Sequence, residues 1–86
     1  MNKTSIAAST VRVRFFAAAK AEVGSGEATW GIPDGTTIAQ ALVAAGLERS
    51  AVIARSSFLV NGLAATRDAM LRDEDELDVL PPFAGG

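Results

Sequence analysis

The hydrophobic pattern changes period several times along the chain, and each change marks an element. Val11, Val13 and Phe15 alternate with Arg12, Arg14 and Phe16, the period of two expected of a half-buried strand. Counting by two puts the first three on a core side and Arg12, Arg14 and Phe16 on the opposite face. Residues 17–23 (AAAKAEV) are strong helix formers, and Gly24 follows as a stop, which predicts a short helix of about two turns. Gly24-Ser25-Gly26 reads as a turn, residues 28–32 as a strand returning by hairpin to the first, and Pro33-Asp34-Gly35 as its end.

The clearest helix signal comes next. Thr37 is a natural N-cap with Gln40 three residues on, the capping-box spacing. Ile38, Ala41, Leu42 and Ala45 form one apolar stripe, and Gly46 with Leu47 supplies a C-terminal stop and an apolar residue to pack beneath it. The main helix is therefore expected over residues 38–45. Residues 50–55 carry no decisive pattern. Residues 58–60 and 63–65 read as two short strands joined by Asn61-Gly62. Asp73-Glu74-Asp75-Glu76 reads as a polar turn before a last strand, Leu77-Asp78-Val79-Leu80, which Pro81-Pro82 stops. This order predicts an α+β domain, a mixed sheet covered on one face by one main helix. Residues 1–10 are expected to be a loose leader, 11–80 a single domain, and 81–86 a flexible C-terminal tail. Trp30, the only tryptophan, is expected to pack against a helix as a core residue.

Composition narrows the chemistry. The 86 residues include no Cys and no His, which removes a disulfide framework, a thiolate nucleophile, an imidazole base and the common zinc sites. A net charge of −2 argues against a basic nucleic-acid footprint. No apolar run approaches a bilayer span, and none near the N-terminus makes a secretory segment; the expected compartment is the cytoplasm. Five of the ten carboxylates lie between Asp73 and Asp78, but without the spacing of a calcium loop, so they read as a solvated turn. Ser56-Ser57 has no base to activate it.

What remains is the ending Leu80-Pro81-Pro82-Phe83-Ala84-Gly85-Gly86. Two terminal glycines arise by chance in roughly 0.5% of chains. Lacking Cβ atoms, Gly85 and Gly86 let backbone enter a channel too narrow for side chains. The ending offers an ionised α-carboxylate at the tip of a strap whose exit two prolines stiffen. A carboxylate is a poor electrophile. Once adenylated by ATP, it carries AMP as a leaving group and accepts sulfur or nitrogen nucleophiles. The chain end can then be the reactive group of a protein with no catalytic side chains.

Several features together carry a family resemblance: Val11-Arg12-Val13-Arg14-Phe15-Phe16-Ala17 opening into a small helix, the Asn61-Gly62 turn, the acidic turn before Leu77-Asp78-Val79, and the Pro81-Pro82-Phe83-Ala84-Gly85-Gly86 ending. Over about residues 11–86 the sequence resembles the MoaD/ThiS family of ubiquitin-like sulfur carriers, most closely its molybdopterin synthase small subunits. The resemblance implies a β-grasp fold and a cycle. A ubiquitin-activating-type enzyme consumes ATP to adenylate Gly86, a persulfide donor converts it to a thiocarboxylate, and the tail enters the large subunit of a heterotetrameric molybdopterin synthase. There its sulfur passes to precursor Z. The chain itself binds no cofactor in that scheme, and the catalytic side chains belong to the large subunit. Thiazole, cysteine or tRNA thiolation, conjugation to proteins through Gly86, and a plain binding module with an inert tail are the alternatives.

A carrier needs a docking face. If the first and last strands are neighbours, as in a β-grasp, Phe16 and Leu80 both point away from the core near the exit of the tail. Leu63 is expected to join them, and Pro81, Pro82 and Phe83 to extend the contact. Arg12 and Arg14 share this face, either to pair with carboxylates of a partner or to keep the face soluble, the second being the expected role.

Overall fold

The computed structural model describes residues 8–82. Their elements run β1 (Ala8–Phe15), α1 (Ala17–Val23), β2 (Glu27–Pro33), α2 (Ile38–Ala44), α3 (Ala51–Ala54), β3 (Ser57–Val60), β4 (Leu63–Ala65) and β5 (Glu76–Leu80). The strands form one sheet in the order β2-β1-β5-β3-β4. β1 and β5 are parallel, and the other neighbouring strands are antiparallel. With the helices packed on one face, this is the β-grasp arrangement.

The alternation seen in the sequence sets the two faces. Val11, Val13 and Phe15 are buried and paired in register with Trp30, Ala28 and, across β5, Leu77 and Val79. Phe58 lies opposite Val79 and joins them. Ala19 of α1, Ile38, Ala41 and Leu42 of α2, and Ile53 of α3 close over this face, with Leu71 from the segment that leads back to β5. Trp30 is half-buried, with its ring 6.2 Å from that of Phe15. It packs against the core from β2, an edge strand with one open flank.

β1 starts at Ala8, three residues before Val11, so residues 8–10 belong to the sheet and not to the leader. The reason is Ser9. It continues the inward parity and is 1% exposed, and its hydroxyl donates to Asp34 Oδ1 at 3.3 Å. A small polar residue at a core position hid the alternation.

α2 carries the capping box. The Thr37 hydroxyl accepts from the Gln40 N–H at 3.1 Å, and the Gln40 side chain accepts from the Thr37 N–H at 2.9 Å. The helix stops one residue earlier than its apolar stripe. Gly46 takes a φ of 77°, and the Leu47 N–H returns to the Leu42 carbonyl at 2.9 Å, a Schellman closure that lays Leu47 on the core. The undecided segment around residue 50 holds α3, capped by the Ser50 hydroxyl on the Ile53 N–H. Its end is held from a distance. Arg67 donates to the Ile53 and Ala54 carbonyls at 2.8 and 2.9 Å while its guanidinium lies 4.8 Å over the Phe58 ring. The Asn61-Gly62 turn has φ of 52° and 84°, both positive as a type I′ hairpin requires.

Candidate functional site at the end of the central strand

β5 is the middle strand of five, with β1 on one side and β3 on the other. The chain therefore leaves the sheet at its centre, where Leu80 and Pro81 are half-buried and Pro82 is exposed. Neither proline has an N–H to continue a ladder. Phe83, Gly85 and Gly86, expected to form the reactive tail, lie outside the described residues.

No helix covers the second face of the sheet among the described residues. Parity assigns to it Arg12 and Arg14 of β1, Glu76, Asp78 and Leu80 of β5, and Ser57 and Leu59 of β3. Phe16 extends this row. Its backbone is extended, its N–H donates to the Val79 carbonyl at 3.2 Å, and its ring centroid lies 5.5 Å from the Arg14 guanidinium carbon. It follows the Phe15–Val79 pair, and continuing that register would place it opposite Leu80. The register thus places Phe16 and Leu80 on the same face at the end of β5. Phe16 is 38% exposed and occupies the N-cap of α1 without a side-chain cap hydrogen bond, a position where Ser, Thr, Asp or Asn stabilise a helix best. Ala17, the next residue, has a φ of 51°, a left-handed conformation that strains a residue with a Cβ. The backbone turns there from the line of β1 into α1, which packs on the helix-side face.

Leu63 does not join this cluster. It pairs with Val60, which pairs with Leu77 on the core side. It is 74% exposed but sits on the helix-side face, near the start of β5 and not its end. The Asn61-Gly62 hairpin fixes this register, and one residue is enough to move a side chain to the other face.

Arg14 does more than keep the face soluble. It lies directly opposite Asp78, and its Nε and Nη2 donate to the two carboxylate oxygens at 2.8 and 3.0 Å. Glu76 stands 3.6 Å from Nη2. The hydrogen bonds that Arg14 donates to Asp78, and then the charge of that carboxylate, raise Arg14 above the ordinary guanidinium value, with smaller contributions from Glu76 and Glu27. Asp78 is accordingly 7% exposed and is not part of a solvated acidic turn. The rest of that turn is structural. Asp73 accepts from the Thr10 N–H at 2.7 Å, and Asp75 accepts from the Arg72 N–H and the Asn61 amide at 2.8 and 2.9 Å. Among the described residues, no three acidic side chains gather as metal ligands would, and no helix is long and apolar enough to cross a membrane. The Arg14–Asp78 pair had a signal in the sequence: charges of opposite sign at the same parity on two strands, each two residues before an outward apolar residue.

The ThiS family model matches residues 13–86. The chain belongs to the ThiS family. No curated protein matches this ThiS-family chain, but solved structures do. The HVO 2177 protein of Haloferax volcanii is 23% identical, with a TM-score of 0.79 over 100% of this chain and 94% of its own. Small archaeal modifier protein 1 (SAMP1) of the same organism is 26% identical, with a TM-score of 0.76 over 90% of this chain and 99% of its own. A Pyrococcus furiosus protein described as a molybdopterin converting factor, subunit 1, is 22% identical, with a TM-score of 0.69 over 87% and 99%. The family is that of ubiquitin-like sulfur carriers and modifiers, whose members work with partner enzymes.

Proposed function

We propose that this ThiS-family chain is a sulfur carrier acting as the small subunit of molybdopterin synthase, and that the Gly86 carboxylate delivers the sulfur to precursor Z. The observation that carries the reading is the Pro81-Pro82-Phe83-Ala84-Gly85-Gly86 sequence that follows the central strand, whose end lies in register with the outward residues Phe16 and Leu80. ATP converts the carboxylate to an acyl adenylate with loss of pyrophosphate. The outer sulfur of a persulfide donor then displaces AMP to give an acyl disulfide, and a thiol attacks its S–S bond, releasing the thiocarboxylate and leaving the donor as a disulfide. The body of the protein presents the strap and docks, first on the adenylating enzyme and then on the large subunit of the synthase heterotetramer, and those partners supply the catalytic side chains. The similarity of the P. furiosus protein supports this destination.

Intact-mass measurement of the chain, co-expressed with its activating enzyme and sulfur donor, should show one oxygen of Gly86 exchanged for sulfur. Removal of Gly86 should abolish molybdopterin formation. Full synthesis without that residue, or a mature chain that continues past it, overturns the reading. The likeness to SAMP1 favours one second reading, a modifier conjugated through Gly86 to lysines of other proteins. A ladder of higher-mass adducts on blots, together with failure to capture a synthase large subunit, would replace the first reading by the second.

A further inference from the structure

The uncovered face contains an arrangement that neither solubility nor sheet pairing requires. Arg14 and Asp78 sit opposite one another on adjacent parallel strands. Phe16 and Leu80 follow each of them by two residues on the same face. The four side chains make two rows, an ion pair and then an apolar pair, and the second row lies where the tail leaves. Asp78 holds the guanidinium by two bonds of 2.8 and 3.0 Å, which fixes its plane, and the Phe16 ring rests against it at 5.5 Å. A solubilising arginine needs no such geometry. A lysine at position 14 could still pair with Asp78 across the strands, but its compact ammonium has neither a second donor in a fixed fork nor a plane to stack on the Phe16 ring.

We infer that Arg14 and Asp78 are positioning residues: they hold the Phe16 ring in one orientation so that it and Leu80 meet the enzyme that activates Gly86 as one preformed apolar surface. The inference rests on the reading that Gly86 is activated by a partner. A ring already ordered loses less freedom on docking, so the pair lowers the cost of association without touching the reacting carboxylate. Asp78 acts on Arg14, Arg14 acts on Phe16, and only Phe16 and Leu80 meet the partner.

The test uses the full-length chain and a ubiquitin-activating-type enzyme that adenylates it. ATP–pyrophosphate exchange is measured as a function of carrier concentration for wild type, Arg14→Lys and Asp78→Asn. Both variants should raise KM by about 2–12-fold, the effect of ordering one side chain on binding, while kcat stays at the wild-type value. The Phe16 ring signals in NMR spectra should pass from one rotamer to averaged positions. Arg67→Lys serves as a control for stability alone. It weakens the cap on α3 at the helix side of the molecule, and it should lower the melting temperature without moving KM. The inference is overturned by a Phe16 ring that keeps one rotamer in both variants. It is overturned equally by a KM that stays at the wild-type value although the ring has become mobile, or by a KM that follows stability in the Arg67→Lys control. Wild-type exchange that does not depend on Gly86 would instead refute the proposed function, and the rotamer of Phe16 in Arg14→Lys would still decide the positioning role.

Discussion

Phe16→Ala removes the largest outward side chain beside the tail, and the structure sets the size of its effect. The residue is 38% exposed. An aromatic side chain buries roughly 150–250 Å² when fully covered, so about 60–95 Å² remains for a partner to cover. At about 25 cal/mol per Å² this corresponds to about 1.5–2.4 kcal/mol, or a factor of roughly 10–50 in affinity. The reacting carboxylate is unaltered, so the loss should fall on KM in ATP–pyrophosphate exchange and leave kcat unchanged, the signature of lost uniform binding. Circular dichroism melting ensures that the variant is folded at the assay temperature, because the covered part of the ring also contributes to the end of β1. A folded Phe16→Ala protein whose KM stays within about threefold of wild type would show that no partner covers this ring, and the docking face would have to be sought elsewhere.

Three further outcomes test the fold around the site. Thr37→Ala deletes the hydroxyl that accepts from the Gln40 N–H in the α2 capping box and should cost about 1 kcal/mol, a fall of roughly 4–8 °C in Tm for a domain of this size; an unchanged melt would mean that this bond does not hold the helix. Ala17→Gly should be neutral or stabilising by up to about 1 kcal/mol, because glycine relieves the left-handed strain at φ 51°. Ala21→Gly, within the same helix, should cost about 1 kcal/mol, and urea denaturation giving equal losses for the two would refute the strained bend. Asp68 lies below the usual carboxylate value because the Thr66 hydroxyl donates to it, with its own backbone N–H second. A lowered folded value adds stability above the ordinary carboxylate range and loses it as pH falls through the folded value. The stability difference between wild type and Thr66→Val should therefore be full at neutral pH and shrink in acid, and a difference independent of pH would contradict this assignment.

Wherever the residues that define a feature lie close together in the chain, the sequence by itself determined it. The period-two run from Val11 to Phe15, the Thr37–Gln40 box, the Asn61-Gly62 turn and the Pro-Pro-x-x-Gly-Gly ending each draw on a handful of consecutive positions, and they settled the α+β class, the main helix, the hairpin and the family. Tertiary structure decided what depends on residues far apart. The start of β1 was hidden because Ser9 is satisfied by Asp34, and α3 because Arg67 closes it from 13 residues downstream. Hairpin register sent Leu63 to the helix side. The parallel pairing of β1 with β5, 64 residues apart at Arg14 and Asp78, made an ordered pair from what read as a solubilising arginine and one carboxylate of an acidic run. The physical reason is that local periodicity fixes which way a side chain points, whereas the group it meets depends on which strands become neighbours and in what register.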